Sequence, residues 1–156
     1  MEIKLRRASM EDAETIWKMQ LEAFAPLLEK YRDFDTSPAA EPLDKVKGRL
    51  MQPETYFYFI CADGTPIGAV RIVDPKTEGK YKRVSPLFVL PAFQGQGIAQ
   101  QAMKLTEQLH GESGWELDTI LQEPGNCHLY EKLGYRRTGE TKTINDKMTL
   151  VFYRKD

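Results

Sequence analysis

The chain predicts an α/β (α+β) domain built on a mixed, mostly antiparallel sheet of about six to seven strands flanked by about four helices. Three observations predict it. Segments of two-residue and near-helical periodicity alternate in the order β-α-α-β-β-β-α-β-α-β-β. Two runs rich in aromatic and β-branched residues are joined by Asp63-Gly64, a hairpin signal that makes those strands antiparallel neighbours. Residues 83–109, RVSPLFVLPAFQGQGIAQQAMKLTEQL, read as strand, glycine loop and helix. A helical crossover between the fourth and fifth strands requires that pair to be parallel.

In residues 2–7, Ile3 and Leu5 face one side and Lys4 and Arg6 the other, a short half-buried strand. Ser9, with Asp12 three residues on, approximates a capping box for a helix whose stripe is Ala13, Ile16, Trp17, Gln20, Phe24, Leu27 and Leu28. Pro26 is expected to kink or end it. Residues 31–42, YRDFDTSPAAEP, follow neither period and predict an irregular segment, and residues 43–51 a second helix. Residues 55–62 (TYFYFICA) and 66–73 form the hairpin, with Gly68 marking a bulge or a close approach. Residues 84–90 form a nearly continuous apolar strand closed by Pro91, and the following helix starts at Ile98. Residues 110–114 read as loop and 115–121 as a strand with Trp115, Leu117, Thr119 and Leu121 on one face. Asn126 is expected to cap a short helix over 127–133 that Gly134 terminates. Residues 135–143 and 147–154 are the last two strands, turning near Asn145-Asp146.

At 156 residues and 41% hydrophobic content, the chain supports one domain over 1–156 and is too short for two ordinary ones. Twenty-two basic against 23 acidic residues provide no broad electrostatic footprint for nucleic acid or a membrane surface, so any anion site must be local. The two cysteines, Cys61 and Cys127, fall in different elements, and no Cys/His spacing suits zinc. Reduced thiols in a cytoplasm, no metal, and no signal peptide or membrane span are expected. Exposed edges on the C-terminal hairpin would suit a homodimer.

The glycine loop has a physical use. The first N–H groups of a helix lack partners and carry the positive end of its dipole, and glycines let several of them converge on one anion. In this loop Gln94, Gly97 and Ala99 fit the Gln/Arg-x-x-Gly-x-Gly/Ala signature, and the chain thereby resembles the GNAT N-acetyltransferases. Residues 126–140, NCHLYEKLGYRRTGE, are similar to that family's later Leu-Tyr-Glu-Lys-Leu-Gly-Phe/Tyr motif, so both motifs occur in family order over roughly residues 83–140.

The resemblance implies acetyl-CoA as co-substrate, with its pantetheine arm along Phe88, Val89 and Leu90. It puts the pyrophosphate on Gln96, Gly97, Ile98, Ala99, Gln100 and Gln101, with Gln94 and Gly95 of the same signature loop as further coenzyme-binding residues. Gln94 and Gln96 stand where relatives often carry Arg or Lys, which leaves most of the binding to backbone amides. Asn126 is a further coenzyme candidate, although it lies closer to Tyr130 than the family's asparagine does. Tyr130 would face the sulfur as general acid, and a backbone N–H at Val89 or Leu90 would serve the oxyanion. Glu123 and Asp118 are the candidate bases, with water as the alternative. Tyr31, Asp33, Phe34 and Asp35, carboxylates beside aromatic faces, are acceptor-side candidates for a cationic small-molecule or peptide amine. Two other classes are weighed against the enzyme. One is a degenerate domain that binds coenzyme A without catalysis. The other, a dinucleotide oxidoreductase built on Gly95-x-Gly97, fails because Gln100 occupies the third glycine position and no repeated βαβ unit flanks the loop.

Overall fold

The structure is a computed structural model that describes residues 1–156. Its strands are β1 (Ile3–Arg7), β2 (Thr55–Ala62), β3 (Thr65–Val73), β4 (Lys82–Val89), β5 (Trp115–Ile120), β6 (Arg136–Asn145) and β7 (Met148–Lys155). Its helices are α1 (Ala13–Tyr31), α2 (Leu43–Met51), α3 (Ile98–His110) and α4 (Pro124–Lys132). One seven-stranded sheet has the order β1-β2-β3-β4-β5-β7-β6. Every neighbouring pair is antiparallel except β4 with β5.

Side-chain alternation along β2 shows how the sheet is covered. Phe57, Phe59 and Cys61 point into one core with Ala13 and Ile16 of α1 and Val46 of α2. Tyr58 and Ile60 point the other way, into the larger core that holds Ile98 and Met103 of α3 and Tyr130 of α4. A strand covered on both faces has no need of polar alternation, which explains the unbroken TYFYFICA run.

Several local expectations are corrected. Ser9 precedes a single 3-10 turn, Met10–Asp12, before α1 begins; its N–H donates to the Asp12 carboxylate at 2.9 Å. Pro26 does not end α1, which runs on to Tyr31. Pro26 and Glu22 are both exposed, so the carbonyl that Pro26 deprives of its donor can be hydrated. His110 belongs to α3 and is not loop; its Nε2 lies 2.8 Å from the Tyr58 hydroxyl. α4 starts at Pro124, a residue suited to the first helical position because it has no N–H to leave unpaired. Glu123 is therefore the N-cap residue, and Asn126 lies inside the first turn.

Two irregularities shape the centre of the sheet. A Cβ on Gly68 would sit 2.2 Å from the Phe88 carbonyl oxygen, so glycine lets β3 and β4 approach there. Further along, Val70 pairs with Leu87 and Ile72 with Val84, leaving Ser85 and Pro86 together opposite Arg71, a bulge in β4. The Ser85–Pro86 peptide is cis. Arg71, 8% exposed, donates to the Ser85 carbonyl at 2.8 Å and to Gln52 Oε1 at 2.5 Å. Burial, with Arg49 and Arg83 nearby, pushes its pKa down to about 10, so the guanidinium is still charged at neutral pH.

Candidate active site

The site begins where two strands part. β4 and β5 pair only at Lys82 with Trp115 and Arg83 with Glu116; beyond those residues no ladder joins them. The gap opens into a cleft of about 1010 Å³ that passes through the sheet, with α3 and α4 on one side and α1 with the 33–38 segment on the other.

The ladder shows which edge groups face the gap. The Leu90 N–H donates to the Ile67 carbonyl at 2.8 Å, and Phe88 lies opposite Ala69, two residues back in the same register. By antiparallel alternation, Phe88 and Leu90 direct their backbone groups at β3, and Val89 directs its own toward β5. Leu90 is thus excluded as an oxyanion donor, and Val89 has the open N–H. The Val89 carbonyl accepts from Gln94 Nε2 at 2.9 Å, which ties the glycine loop to the strand end.

The loop itself is spread open. Gly95 and Gly97 both have φ of +77°, and a Cβ on either would meet nothing within 4 Å, so backbone conformation and not crowding requires glycine. The first α3 amide with a helical partner is that of Gln101, which donates to the Gly97 carbonyl at 3.2 Å. The N–H groups of Gly95, Gln96, Gly97, Ile98, Ala99 and Gln100 donate to nothing in the protein. Such a row, at the positive end of a helix dipole, fits an anion with several oxygens, as a pyrophosphate has.

Tyr130 comes from α4 on the same side. It is 8% exposed, packs edge-on to Tyr135 at 5.8 Å and lines the cleft, and its hydroxyl has no protein partner. Burial pushes its pKa well above that of a free phenol, and Asp118 and Cys127 push it in the same direction. Cys127 Sγ lies 3.8 Å from the Ile120 carbonyl.

The other side of the sheet presents carboxylates. Asp118, on the face of β5 opposite Leu117, is bound by Arg83. Glu123 accepts from the Tyr31 hydroxyl and from Lys30 Nζ at 2.6 Å. Burial alone would raise the Glu123 pKa, but the bonds from Lys30 and Tyr31 outweigh it and hold the carboxyl below its ordinary value. Asn145 Nδ2 donates to the Tyr31 carbonyl at 3.0 Å, so α1, the β5–α4 junction and the β6–β7 turn meet at Tyr31.

Of the acceptor-side candidates, Tyr31 and Asp33 line the cleft, whereas Phe34 and Asp35 are exposed outside it. Asp33 is engaged by the Thr36 hydroxyl and the amides of Asp35 and Thr36. Gln96, Gln101 and Leu90 do not line the cleft; Phe88, Val89, Gln94, Gly95, Gly97, Ile98, Ala99, Gln100 and Asn126 do. Sequence reading missed Lys30, Arg83 and Lys132. Lys132 follows the motif tyrosine by two positions and had a signal in its place on α4. Lys30 had none, because its partner is 93 residues away.

A profile of the Acetyltransferase (GNAT) family matches residues 15–135. The chain belongs to the GNAT acetyltransferase family. None of the curated protein sequences matches it significantly. Among solved structures, the GNAT chain superimposes on spermidine N-acetyltransferase from Vibrio cholerae, a complex with CoA and spermine, with TM-score 0.75 and 16% identity over 97% of this chain and 93% of that one. The PaiA N-acetyltransferase from Thermoplasma acidophilum, a complex with coenzyme A, gives TM-score 0.67 and 18% identity over 100% of both chains. An acetyltransferase from Thermus thermophilus gives 0.70 and 16%, over 98% of this chain and 96% of that one. At such identities the likeness establishes the fold. Within that fold, the splayed strands and the glycine loop of this GNAT chain form the cleft of about 1010 Å³.

Proposed function

We propose that the protein is an acetyl-CoA-dependent N-acetyltransferase that acts by direct transfer to a primary amine. The observation that carries this reading is the convergence, in one cleft, of Gly95, Gly97, Ile98, Ala99 and Gln100 with their unpartnered amides, the open Val89 N–H and the unpartnered Tyr130 hydroxyl. Solved relatives that include a spermidine N-acetyltransferase support an amine acceptor. Bound in the cleft, acetyl-CoA supplies a thioester whose carbonyl carbon bonds to the amine nitrogen as its bond to sulfur breaks.

The chain's residues then have distinct tasks. The amides of the loop hold phosphate oxygens, with Lys132 on α4 adding a positive charge on the same face of the sheet. Val89 N–H stabilises the oxyanion. Tyr130 donates a hydrogen bond to the sulfur as charge develops there. Complete proton transfer from so weakly acidic a phenol to a thiolate of pKa near 8.5 runs uphill, so the proton that finally neutralises the thiol comes from solvent. Asp118 and Glu123, each bound to a cation, are weak bases, and the proton of the incoming ammonium leaves through water at the cleft mouth. Asn126 lies on the cleft wall near Tyr130 as a coenzyme contact.

Calorimetric titration with acetyl-CoA, with NAD as control, tests the first half, and thiol release on an amine panel tests the second. Binding of acetyl-CoA alone with thiol release is expected. Tight binding without release on any amine would favour a coenzyme A-binding module, and no binding would remove the reading.

A further inference from the structure

The acceptor half of the cleft has a charge balance that limits what it can bind. Three carboxylates line the cleft: Asp33, Asp118 and Glu123. Lys30 neutralises Glu123 and Arg83 neutralises Asp118. Asp33 has only neutral donors, the Thr36 hydroxyl and the amides of Asp35 and Thr36, and no salt-bridge partner. The remaining cation of the lining, Lys132, is on α4, across the sheet with the phosphate loop. The acceptor half is therefore left with one formal negative charge. Much of the rest of its wall is apolar, with Phe24 and Leu27 from α1, Pro86 and Phe88 from β4, and Met148 and Leu150 from β7, beside the neutral polar side chains of Thr36, Ser37 and Ser85.

We propose that the acceptor is a small primary amine with a single positive charge on an apolar body, and not a polyamine. One ammonium matches the one uncompensated carboxylate. A second or third ammonium on the same molecule would have to be desolvated against those apolar walls with no free carboxylate to meet it. The apolar walls in turn reward an alkyl or aryl body by burial. The proposal rests on the acetyltransferase reading above.

The test is steady-state thiol release at saturating acetyl-CoA, with 2-phenylethylamine, spermidine and a tripeptide of neutral side chains as acceptors. The expected result is a kcat/KM for 2-phenylethylamine about 30-fold or more above spermidine, the discrimination a pocket of matched polarity can reach. Equal or better turnover of spermidine would overturn the proposal, and so would a preference for the tripeptide, which would point to a polypeptide N-terminus. The second arm uses Lys30→Met, at a side chain 58% exposed and so safe for folding. Removing that cation frees the charge of Glu123 and should raise the spermidine to 2-phenylethylamine ratio about tenfold, one additional favourable ion contact. An unchanged ratio would mean that charge balance does not set specificity. Titration of acetyl-CoA into the same preparations separates the two failures. Binding with thiol release on the wrong amine refutes only the acceptor class; binding with release on none, or no binding, refutes the transferase reading and this proposal with it.

Discussion

Two residues of the cleft differ in how their replacement should read out. In the proposed mechanism Tyr130 contacts the sulfur: its hydroxyl has no partner in the protein and its ring is held by Tyr135 and Tyr153. Tyr130→Phe keeps the ring and its packing, so coenzyme affinity should stay within about twofold while kcat falls about 10²-fold, the worth of one donor at a developing charge. Normal turnover would remove Tyr130 from the chemistry. Because the phenol pKa is raised, the hydroxyl stays protonated through the neutral range and beyond. No loss of activity from its ionisation is expected as pH rises to about 9.5, half a unit below the free phenol. Gly97 acts at the other end. Its φ of +77° strains any side chain, by about 1 kcal/mol for a residue such as Asp that tolerates the left-handed region, and no neighbour blocks a Cβ. Gly97→Asp should thus fold, yet lose acetyl-CoA binding in calorimetry because a carboxylate now occupies the anion's place. Retained affinity would move the phosphate site elsewhere.

At the scale of elements, β4 is the part the site depends on, and Arg71 holds its bend. The bulge at Ser85 and Pro86 lies just past the last β4–β5 pair, Arg83 with Glu116, and Arg71 reaches over from β3 to bind the Ser85 carbonyl. Arg71→Met should cost about 1–3 kcal/mol in urea denaturation, the price of losing a charged donor from a part-buried carbonyl. It should also weaken acetyl-CoA binding in the folded protein, with Arg71→Lys recovering part of both. Unchanged coenzyme affinity in a destabilised Arg71→Met would confine Arg71 to stability. Most elements of this part were legible in the sequence because their causes are local. The TYFYFICA strand, the Asp63-Gly64 turn and the Ile98 start of α3 follow from β-propensity, turn chemistry and glycine placement within a few residues. Where a choice depended on which side met water, local signals misled: Pro26 is tolerated because its turn is exposed, and Pro124 opens α4 where Asn126 had the better capping side chain. The bulge had a proline as its mark, but no property of the Arg71 neighbourhood could announce that its guanidinium would be buried.

For the whole molecule, the glycine-loop half of the cleft was legible and the half around Tyr31 was not, for one reason. The loop and Tyr130 belong to short motifs whose geometry one strand-helix unit fixes, whereas Tyr31, Glu123 and Asn145 meet only after the sheet brings three distant segments together. Nothing near residue 31 announces a carboxylate 92 positions away. That junction joins α1 to the far half of the sheet, and its strength should depend on pH in a defined direction. The Glu123 carboxyl is held below its ordinary value by Lys30 and Tyr31 against the opposing effect of burial. The folded state therefore binds that proton less readily than the unfolded chain does. The stabilisation is complete above the unfolded carboxyl's pKa of about 4.3 and is lost as pH falls through the lower folded value. Glu123→Gln removes the titrating group and retains much of the shape. The difference in Tm between wild type and Glu123→Gln should accordingly be constant from about pH 6 to 7, shrink below about pH 4.3 and disappear once acid has protonated the folded carboxyl. A gap that persists unchanged into acid would show that packing at the junction, and not the charge of Glu123, joins the two halves of the cleft.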